Sequence, residues 1–385
     1  MTDTTQRNPT MNNRNRLKLG LFGMNLSHGL SATRVPERWD ASWEHNLAAA
    51  RIADQAGIEC LVPVGRWKGY GGETNYEQDS FETITWAAGL LADTARITAF
   101  GTVHVPLIHP VLAAKQCMTA DHIGHGRFGL NVVCGWNPDE FGMFGHAQDP
   151  HDRRYARGQE WLEIITRIWA GEAPFDYQGE FYDLHAVLGG PAPWGGKRPI
   201  IMNAGSSPAG LRFAVRNAEL MFDQPGFIAQ GPTRIPEIRR QARDFGHEIQ
   251  IFSHAYVVCR PTRREADEYL HYFAVENAET EAIDRLITLA LGNTHSLTPE
   301  MVQNARRHFA GGYGGEEIVG SPDEVADQLL RISRLGFDGL GINFVNFVDE
   351  LPFFCAEVLP RLEKMGLREP PDDNRPVAVR SARDD

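Results

Sequence analysis

The sequence has no surplus of basic residues and no long hydrophobic run. Its 385 residues include 38 Lys and Arg against 50 Asp and Glu, which gives a formal charge of −12 at neutral pH. Nucleic acids are bound through basic surfaces, so we expect no nucleic-acid partner. No apolar stretch approaches the length that crosses a bilayer, so we also expect no membrane span.

Cysteine is scarce and metal-ligand patterns are missing. The five cysteines are scattered without a CxxC pair, which is typical of buried thiols in a reducing compartment. We therefore expect a cytoplasmic protein without disulfides. The 14 histidines show no HExxH or other zinc-ligand spacing, so no metal site is expected. A metal-free enzyme or a binding protein for a small molecule remains.

The two ends of the chain are polar and lack a periodic hydrophobic pattern. We interpret residues 1–16 as a disordered N-terminal tail and residues 366–385 as a flexible C-terminal tail. Residues 17–365 are predicted to form a single domain, because α/β barrels of this length commonly fold as one unit.

Within that domain, short apolar runs alternate with amphipathic helical segments at the spacing of βαβ units. The pattern predicts a (β/α)8 TIM barrel with insertions. A helical insertion at about 263–320 ends in the glycine-rich run 311–320, which we interpret as a lid. The predicted strands are Leu17–Gly23, Ile58–Val64, Ile97–Val103, Arg127–Cys134, Pro199–Asn203, Leu220–Asp223, Glu248–Cys259 and Asp338–Val345.

In such a barrel the carboxyl ends of the strands converge on one site. Polar residues occupy these ends, yet they include no evident nucleophile–base pair and no carboxylate dyad. This composition favours a site that positions a cofactor with its own reactivity. The residues are Asn25, Arg66, Thr102, His104, Asn131, Glu140, Ser206, Ser207 and Asn343.

Several of these residues have a structural alternative. Thr102 is a common strand residue, and Asn131 could be a core amide satisfied by backbone groups. The run Ala204–Ser207 suits an anion because glycine, free N–H groups and hydroxyls meet at a helix start, but Ser207 could equally be a helix cap. The pair Arg153–Arg154 could bind the same anion or remain solvated.

An aromatic segment follows the fourth predicted strand. Trp136, Phe141, Met143 and Phe144 lie in a loop broken by Gly and Pro, and their spacing fits neither a helix nor a strand. This favours a ligand-facing wall, although core packing is the alternative. His104 could likewise contact the substrate or be a structural histidine.

Five motifs stand out along the chain: RWKGYGG at 66–72, GT at 101–102, GRFGLNVVCGW at 126–136, RRY at 153–155 and AGSS at 204–207. Together they resemble the bacterial luciferase-like flavin monooxygenases, and within them the pyrimidine monooxygenase branch, with dimethyl sulfone and alkanesulfonate monooxygenases as near relatives. The resemblance implies a TIM-like barrel that uses FMN, as FMNH2, and O2. It also implies a separate NAD(P)H-dependent flavin reductase, a small-molecule substrate and a homo-oligomer, either dimer or tetramer.

The resemblance also implies roles for individual residues. Thr102 and Asn131 match the pair that lines the oxygen pocket beside the flavin. His104, Trp136 and Phe141 fall where the substrate is expected. The residues expected to bind FMN are Gly65, Arg66, Asn131, Glu140, Arg154, Tyr155 and Ser207.

The chain departs from the pyrimidine enzymes at the mouth of this site. They carry a lysine at the position of Arg66 and small residues at those of Val103 and His104. The leading expectation is oxygenative C–N cleavage of a pyrimidine-like or other N-heterocyclic amide. Oxygenative C–S cleavage of a sulfone or sulfonate is the alternative, and for a sulfonate Arg34, Arg66 and His104 would be the cationic ligands. A non-catalytic flavin-binding protein and a deazaflavin-dependent oxidoreductase are alternatives of another class.

Overall fold

The structure, a computed structural model, describes residues 8, 10–135, 137–291 and 299–371. Nine parallel strands form the main sheet, and two antiparallel strands, β5 and β6, form a separate hairpin. In chain order the strands are β1 (Lys18–Phe22), β2 (Cys60–Val62), β3 (Thr98–His104), β4 (Phe128–Val133), β5 (Phe175–Gln178), β6 (Asp183–Val187), β7 (Ile200–Asn203), β8 (Leu220–Phe222), β9 (Gln250–Cys259), β10 (Glu316–Gly320) and β11 (Gly339–Asn343).

Eight of the parallel strands close a barrel. Their order is β9, β11, β1, β2, β3, β4, β7 and β8, and β8 pairs back onto β9 through Leu220↔Gln250 and its neighbours. These eight strands are the eight predicted from the sequence, so the predicted (β/α)8 barrel is confirmed. Their inward and outward faces are both apolar, as expected of a parallel sheet covered by helices.

Strand β10 is a ninth strand that the sequence did not predict. It pairs with the second half of β9, from Glu316↔Ala255 to Gly320↔Cys259, on the edge that β8 leaves after Phe222. Residues 316–320 therefore lie in the sheet and not in the flexible loop that the glycine-rich sequence indicated. The remaining part of that run ends a helix at Gly312 and turns at Tyr313, where φ is +54°.

Helices follow the strands and begin where the sequence supplies caps. Ser42 accepts a hydrogen bond from the first turn of α1, and Ser207 does the same for α6, where Pro208 takes the first helical position. The helices are α1 (Trp43–Gln55), α2 (Thr83–Asp93), α3 (Pro110–Ile123), α4 (Pro138–Met143), α5 (His151–Trp169), α6 (Pro208–Asn217), α7 (Gly231–Asp244), α8 (Arg263–His271), α9 (Thr280–Leu291), α10 (Pro299–Gly312), α11 (Pro322–Arg334), α12 (Phe347–Glu357) and α13 (Leu359–Lys364).

The amino-terminal face of the barrel is closed by segments that the sequence places in the tails. Met11 is fully buried in the apolar cluster inside the barrel. Asn15 and Arg368 both hydrogen-bond the carboxylate of Glu59, which has no exposed surface. The polar residues of both segments thus satisfy a buried charge, which hydrophobic periodicity cannot reveal.

Helices α8 to α10 form the insertion between β9 and β10, and they pack on their own apolar cluster around Tyr70, Tyr256 and Phe273. No helix in the described part of the chain is long and apolar enough to span a bilayer.

Candidate active site

Thr102 and Asn131 lie side by side at the carboxyl ends of β3 and β4, where the register pairs them directly. The Thr102 hydroxyl donates to the carbonyl oxygen of Pro63 at 2.6 Å and accepts from Nδ2 of Asn131 at 3.2 Å. The other amide atom of Asn131, Oδ1, is buried and has no hydrogen-bond partner among the described residues. An unsatisfied buried acceptor is costly, so this atom can accept a hydrogen bond from a ligand or a water molecule.

A buried ion network lies beside this pair, on the loop after β2. The Arg66 guanidinium donates from Nε to Glu77 at 2.8 Å and from Nη1 to Glu140 at 3.0 Å, and all three side chains are at most 1% exposed. The same Glu140 oxygen accepts the backbone N–H of Trp67 at 3.0 Å. Burial raises the pKa of Glu77, and the nearby Arg66 offsets part of this rise. The guanidinium is therefore engaged in ion pairs with two carboxylates of the protein.

The insertion contributes a tyrosine to this network. Nη2 of Arg66 donates to the hydroxyl of Tyr313 at 3.1 Å, and the hydroxyls of Tyr313 and Tyr70 are 2.9 Å apart. The Tyr70 ring also stacks under the guanidinium, 4.7 Å from its carbon. Burial raises the pKa of Tyr313 to about 12, which keeps the hydroxyl protonated. The sequence did not indicate Tyr313 as a site residue, because its glycine-flanked position resembled a lid. It did not indicate Glu77 either, because nothing in the loop sequence distinguishes this carboxylate.

His104 ends β3 and faces the same carboxylate. Its Nδ1 atom is 3.9 Å from Oε2 of Glu140, and neither atom has a hydrogen-bond partner among the described residues. Burial lowers the pKa of His104 to about 4, an effect that Glu140 opposes and Arg66 reinforces. The imidazole is therefore neutral near neutral pH. Gly65 makes room for it, because a Cβ there would lie 3.3 Å from both His104 and Thr102.

A second half of the site surrounds the start of α6. Ser207 accepts the N–H of Gly210 at 3.1 Å and lies near Tyr155, whose pKa is raised by burial and partly lowered by Ser207. Added Cβ atoms at Gly205 and Gly210 would lie 2.7 Å and 2.6 Å from other atoms, the latter from the Tyr155 hydroxyl. The backbone thus approaches closely at a helix N-terminus, the usual form of a phosphate cradle. Ser207 is also the N-cap of α6, which is the structural alternative that the sequence left open.

Arg154 and Arg153 separate in the structure. Arg154 donates to the carbonyl of Gly135 at the end of β4, and its Nε atom is buried without a partner among the described residues. Arg153 instead pairs with Glu180 at the surface, with half of its side chain exposed. Of the two arginines, Arg154 is therefore the one that contacts the chain directly after the strand that carries Asn131.

The segment after β4 is a short helix, not the irregular loop that its spacing indicated. Phe141, on α4, is buried and packs against Gly135, whose positive φ of +98° and missing Cβ make this approach possible. Phe144 is 39% exposed and meets the Trp67 ring edge to face at 4.9 Å. Trp136, predicted to contact the substrate, lies outside the described residues.

Two of the strand-end residues serve the scaffold. Asn25 is fully buried and bonds the Val64 backbone through both amide atoms, with Nδ2 at 2.8 Å and Oδ1 at 2.9 Å. Asn343 donates to Ser31 at 3.3 Å through Nδ2, while its buried Oδ1 has no partner among the described residues. The remaining predicted residues fall into two adjacent groups, one around Asn131 and Glu140 and one around Ser207.

A parallel eight-strand barrel with hydrogen-bonding groups and a phosphate-type cradle at the carboxyl ends of its strands defines an α/β-barrel enzyme of the cofactor-using kind. The sequence profile described as "Luciferase-like monooxygenase" matches residues 21–339. The chain therefore belongs to the luciferase-like monooxygenase family, which confirms the predicted family and the predicted enzyme class, a monooxygenase.

Two kinds of curated relative resemble the chain to nearly the same degree. An FMNH(2)-dependent dimethylsulfone monooxygenase of Pseudomonas fluorescens is 28% identical over 360 residues, covering 91% of this chain and 95% of the relative. The pyrimidine monooxygenase RutA of Acinetobacter baylyi is 27% identical over 353 residues, covering 89% and 94%. Sequence identity therefore does not separate the two branches.

Solved structures confirm the fold. A riboflavin lyase in complex with modified FMN and riboflavin superposes with a TM-score of 0.82 at 20% identity, covering 92% of this chain and 93% of that one. DmoA from Hyphomicrobium sulfonivorans also gives 0.82, at 23% identity and 94% and 91% coverage.

Proposed function

We propose that this protein is a two-component flavin-dependent monooxygenase that uses FMNH2 and O2 to oxygenate a small uncharged molecule. The observation that carries the proposal is the juxtaposition of two groups at one barrel mouth. One is the cradle of Ser207 and Tyr155, and the other is the acceptor-lined pocket of Thr102, Asn131 and Glu140. A ligand with a phosphate at one end and ring N–H donors at the other suits both groups, and FMN is such a ligand. The FMNH(2)-dependent relative supports this choice of cofactor.

The residues of these two groups have different roles in binding that ligand. Ser207, Tyr155 and the N–H groups at the start of α6 bind the phosphate, with Arg154 adding positive charge from the end of β4. Asn131 and Glu140 accept hydrogen bonds from the ring. Reduced flavin supplies the electrons that activate O2, and the protein supplies orientation and exclusion of water.

The charges around the pocket favour an uncharged substrate. The three residues that would have to bind a sulfonate as cations are not available for this role. Arg34 pairs with Glu73 on the surface, Arg66 is enclosed by two carboxylates, and His104 is neutral because burial lowers its pKa to about 4. Buried Glu77 and Glu140 make the neighbourhood unfavourable for an anion. This argues against a sulfonate, although that substrate was one alternative from the sequence.

The preferred reaction is oxygenative C–N cleavage of a pyrimidine-like or other N-heterocyclic amide. Such a ring carries N–H donors, which match the unsatisfied acceptor atoms of the pocket, and the similarity to pyrimidine monooxygenases supports it. Oxygenative C–S cleavage of an uncharged sulfone is the second candidate, supported by the similarity to dimethylsulfone monooxygenases. His104, Phe141 and Trp136 are the proposed substrate neighbours.

The reduced flavin would come from a separate NAD(P)H-dependent flavin reductase, since no nicotinamide-binding motif is evident in the sequence. We propose a homo-oligomer, dimer or tetramer, and a cytoplasmic location on the basis of the family resemblance and the unpaired thiols.

The experiment is a single-turnover screen. The protein is mixed anaerobically with photoreduced FMN and a panel of uncharged amide rings, sulfones and sulfonates, and then exposed to labelled oxygen. Mass spectrometry is expected to show one labelled oxygen atom in a ring-opened amide product. Release of an unlabelled sulfinate from a sulfone, with the labelled oxygen atom in the carbonyl product of the other fragment, would move the assignment to C–S cleavage. Absence of label in every product, or binding of a deazaflavin in preference to FMN, would refute the monooxygenase proposal.

A further inference from the structure

The amide of Asn131 has a fixed orientation, which is set by the hydroxyl proton of Thr102. The Thr102 hydroxyl lies 2.6 Å from the carbonyl oxygen of Pro63, and a carbonyl can only accept. The hydroxyl proton is therefore engaged in the hydrogen bond to Pro63. Towards Asn131, 3.2 Å away, the Thr102 oxygen can then only accept, so the atom of Asn131 that faces it must be the amide nitrogen.

The consequence is that the unsatisfied atom of Asn131 is its acceptor, Oδ1, while Nδ2 is held by Thr102. Its Oδ1 atom is buried in a side chain that is 7% exposed, and it has no partner in the described part of the chain. Glu140 presents a second acceptor of the same kind, Oε2, which is likewise buried and unsatisfied. At these two atoms a ligand ring meets hydrogen-bond acceptors and is stabilised through its own N–H groups.

Oxidised and reduced flavin differ in this respect. Two-electron reduction adds ring N–H groups at nitrogens that are bare acceptors in the oxidised ring. Where one of these nitrogens faced Asn131 or Glu140, the oxidised ring would place an acceptor against an acceptor, whereas the reduced ring could donate. The ring N–H that both forms share would not discriminate between them.

We infer that Thr102, through the orientation it imposes on Asn131, makes the site selective for reduced over oxidised flavin. In this arrangement Asn131 contacts the ring, and Thr102 is a positioning residue that acts through Asn131. The Pro63 carbonyl is the last member of this hydrogen-bond series, because it accepts the Thr102 proton. The inference rests on the proposed flavin site and adds to it the residues that discriminate between redox states.

The test measures binding and does not require a substrate. Dissociation constants for FMN and for photoreduced FMNH2 are measured anaerobically by fluorescence titration on the purified full-length protein. The ratio of the two constants is the readout. Thr102→Val keeps the shape of the side chain but removes the hydroxyl, so the amide is free to turn its nitrogen towards the ring. The ratio is expected to fall about tenfold, the value of roughly one hydrogen bond.

Three further single variants and one double variant distinguish this role of Thr102 from a general loss of structure. Thr102→Ser keeps the hydroxyl and is expected to keep the ratio. Thr98→Val makes the same change at the opposite end of β3, where the hydroxyl meets Asn8, and is expected to leave the ratio unchanged. Asn131→Leu removes the acceptor and is expected to lower the ratio as much as Thr102→Val. Adding Thr102→Val to Asn131→Leu should then cause no further change.

An unchanged ratio in Thr102→Val, or equal losses of affinity for both redox states, would overturn the inference. So would an additive double variant, because Thr102 would then act independently of Asn131. Failure of the wild-type protein to bind either form of FMN would instead refute the proposed cofactor, which is a distinguishable result.

Discussion

Nη1 of Arg66 lies 3.0 Å from Oε1 of Glu140, although 74 residues separate the two in the chain and neither side chain is more than 1% exposed. A second buried carboxylate, Glu77, lies 2.8 Å from Nε of the same guanidinium. One cation thus holds two carboxylates at the edge of the proposed flavin site. Removing one member of a buried ion network leaves the others uncompensated, which costs more than the network contributes as a whole.

Replacing Arg66 by Met should therefore destabilise the protein by about 3–5 kcal/mol, because Glu77 and Glu140 lose their counter-charge in a buried place. Flavin affinity should fall with it, since Glu140 is no longer held. Urea unfolding monitored by circular dichroism gives the stability. Arg285→Met is the matched control, because this arginine pairs with Asp139 at the surface and should cost less than about 1 kcal/mol. Equal costs in the two variants would contradict the assigned role of the buried network.

Tyr313→Phe should weaken flavin binding several-fold with little loss of stability. The change removes the hydroxyl that bonds Arg66 at 3.1 Å and Tyr70 at 2.9 Å, while the ring remains packed. Affinity is measured by titration with FMNH2 under argon. Tyr269→Phe removes a hydroxyl from the same insertion that bonds Glu37 instead, and it should bind flavin normally. If both variants bind as the wild type does, the insertion does not contribute to the site through Tyr313.

Ser207→Ala should weaken the binding of FMN but not of riboflavin, because riboflavin has no phosphate. Loss of a phosphate donor at a helix N-terminus predicts about a tenfold change in affinity, since charge-assisted hydrogen bonds are worth about 1.5 kcal/mol or more. Ser321→Ala removes another serine that begins a helix before a proline, in α11, and controls for the loss of a cap. Equal weakening of both flavins in Ser207→Ala would leave capping as the only role of this serine.

Stability should fall as the pH is lowered from about 6.5 towards 4. Burial lowers the pKa of His104 to about 4 from an ordinary value of 6.5, so in this window the unfolded chain binds a proton that the folded chain does not. The contribution is complete above pH 6.5 and is lost as the pH falls, on the order of 2 kcal/mol by pH 5. His104→Asn should reduce the dependence of the urea midpoint on pH without abolishing it, because burial also lowers the pKa of His28 and of His254 to about 4. His185→Asn, at an exposed position on β6, should not.

The sequence was sufficient for the barrel because its eight strands carry apolar runs between helices with recognisable starts. It was misleading where a strand is short and flanked by glycine. Strand β10 holds two glutamates in its five residues, and both enter surface ion pairs with Arg307 and Arg331, so its pattern resembled a loop. Its place in the sheet depends on the edge that β9 exposes, which is a tertiary property.

The same reasoning applies to the site. Strand-end positions predicted that Thr102 and Asn131 would meet, because neighbouring parallel strands in register bring them together. The sequence could not predict that Tyr313 reaches Arg66 from 247 residues away, since the path of the insertion is set by packing of α8 to α10. Nor could it predict that His104 is buried beside Glu140, because its burial depends on Gly65 of the neighbouring loop.

Residues 10–16 and 366–371 meet around Glu59 on the face of the barrel opposite to the site. A tag or linker joined directly to residue 10 or to residue 371 would therefore begin on the side away from the mouth. Immobilisation through either of these two residues would leave the mouth facing solution.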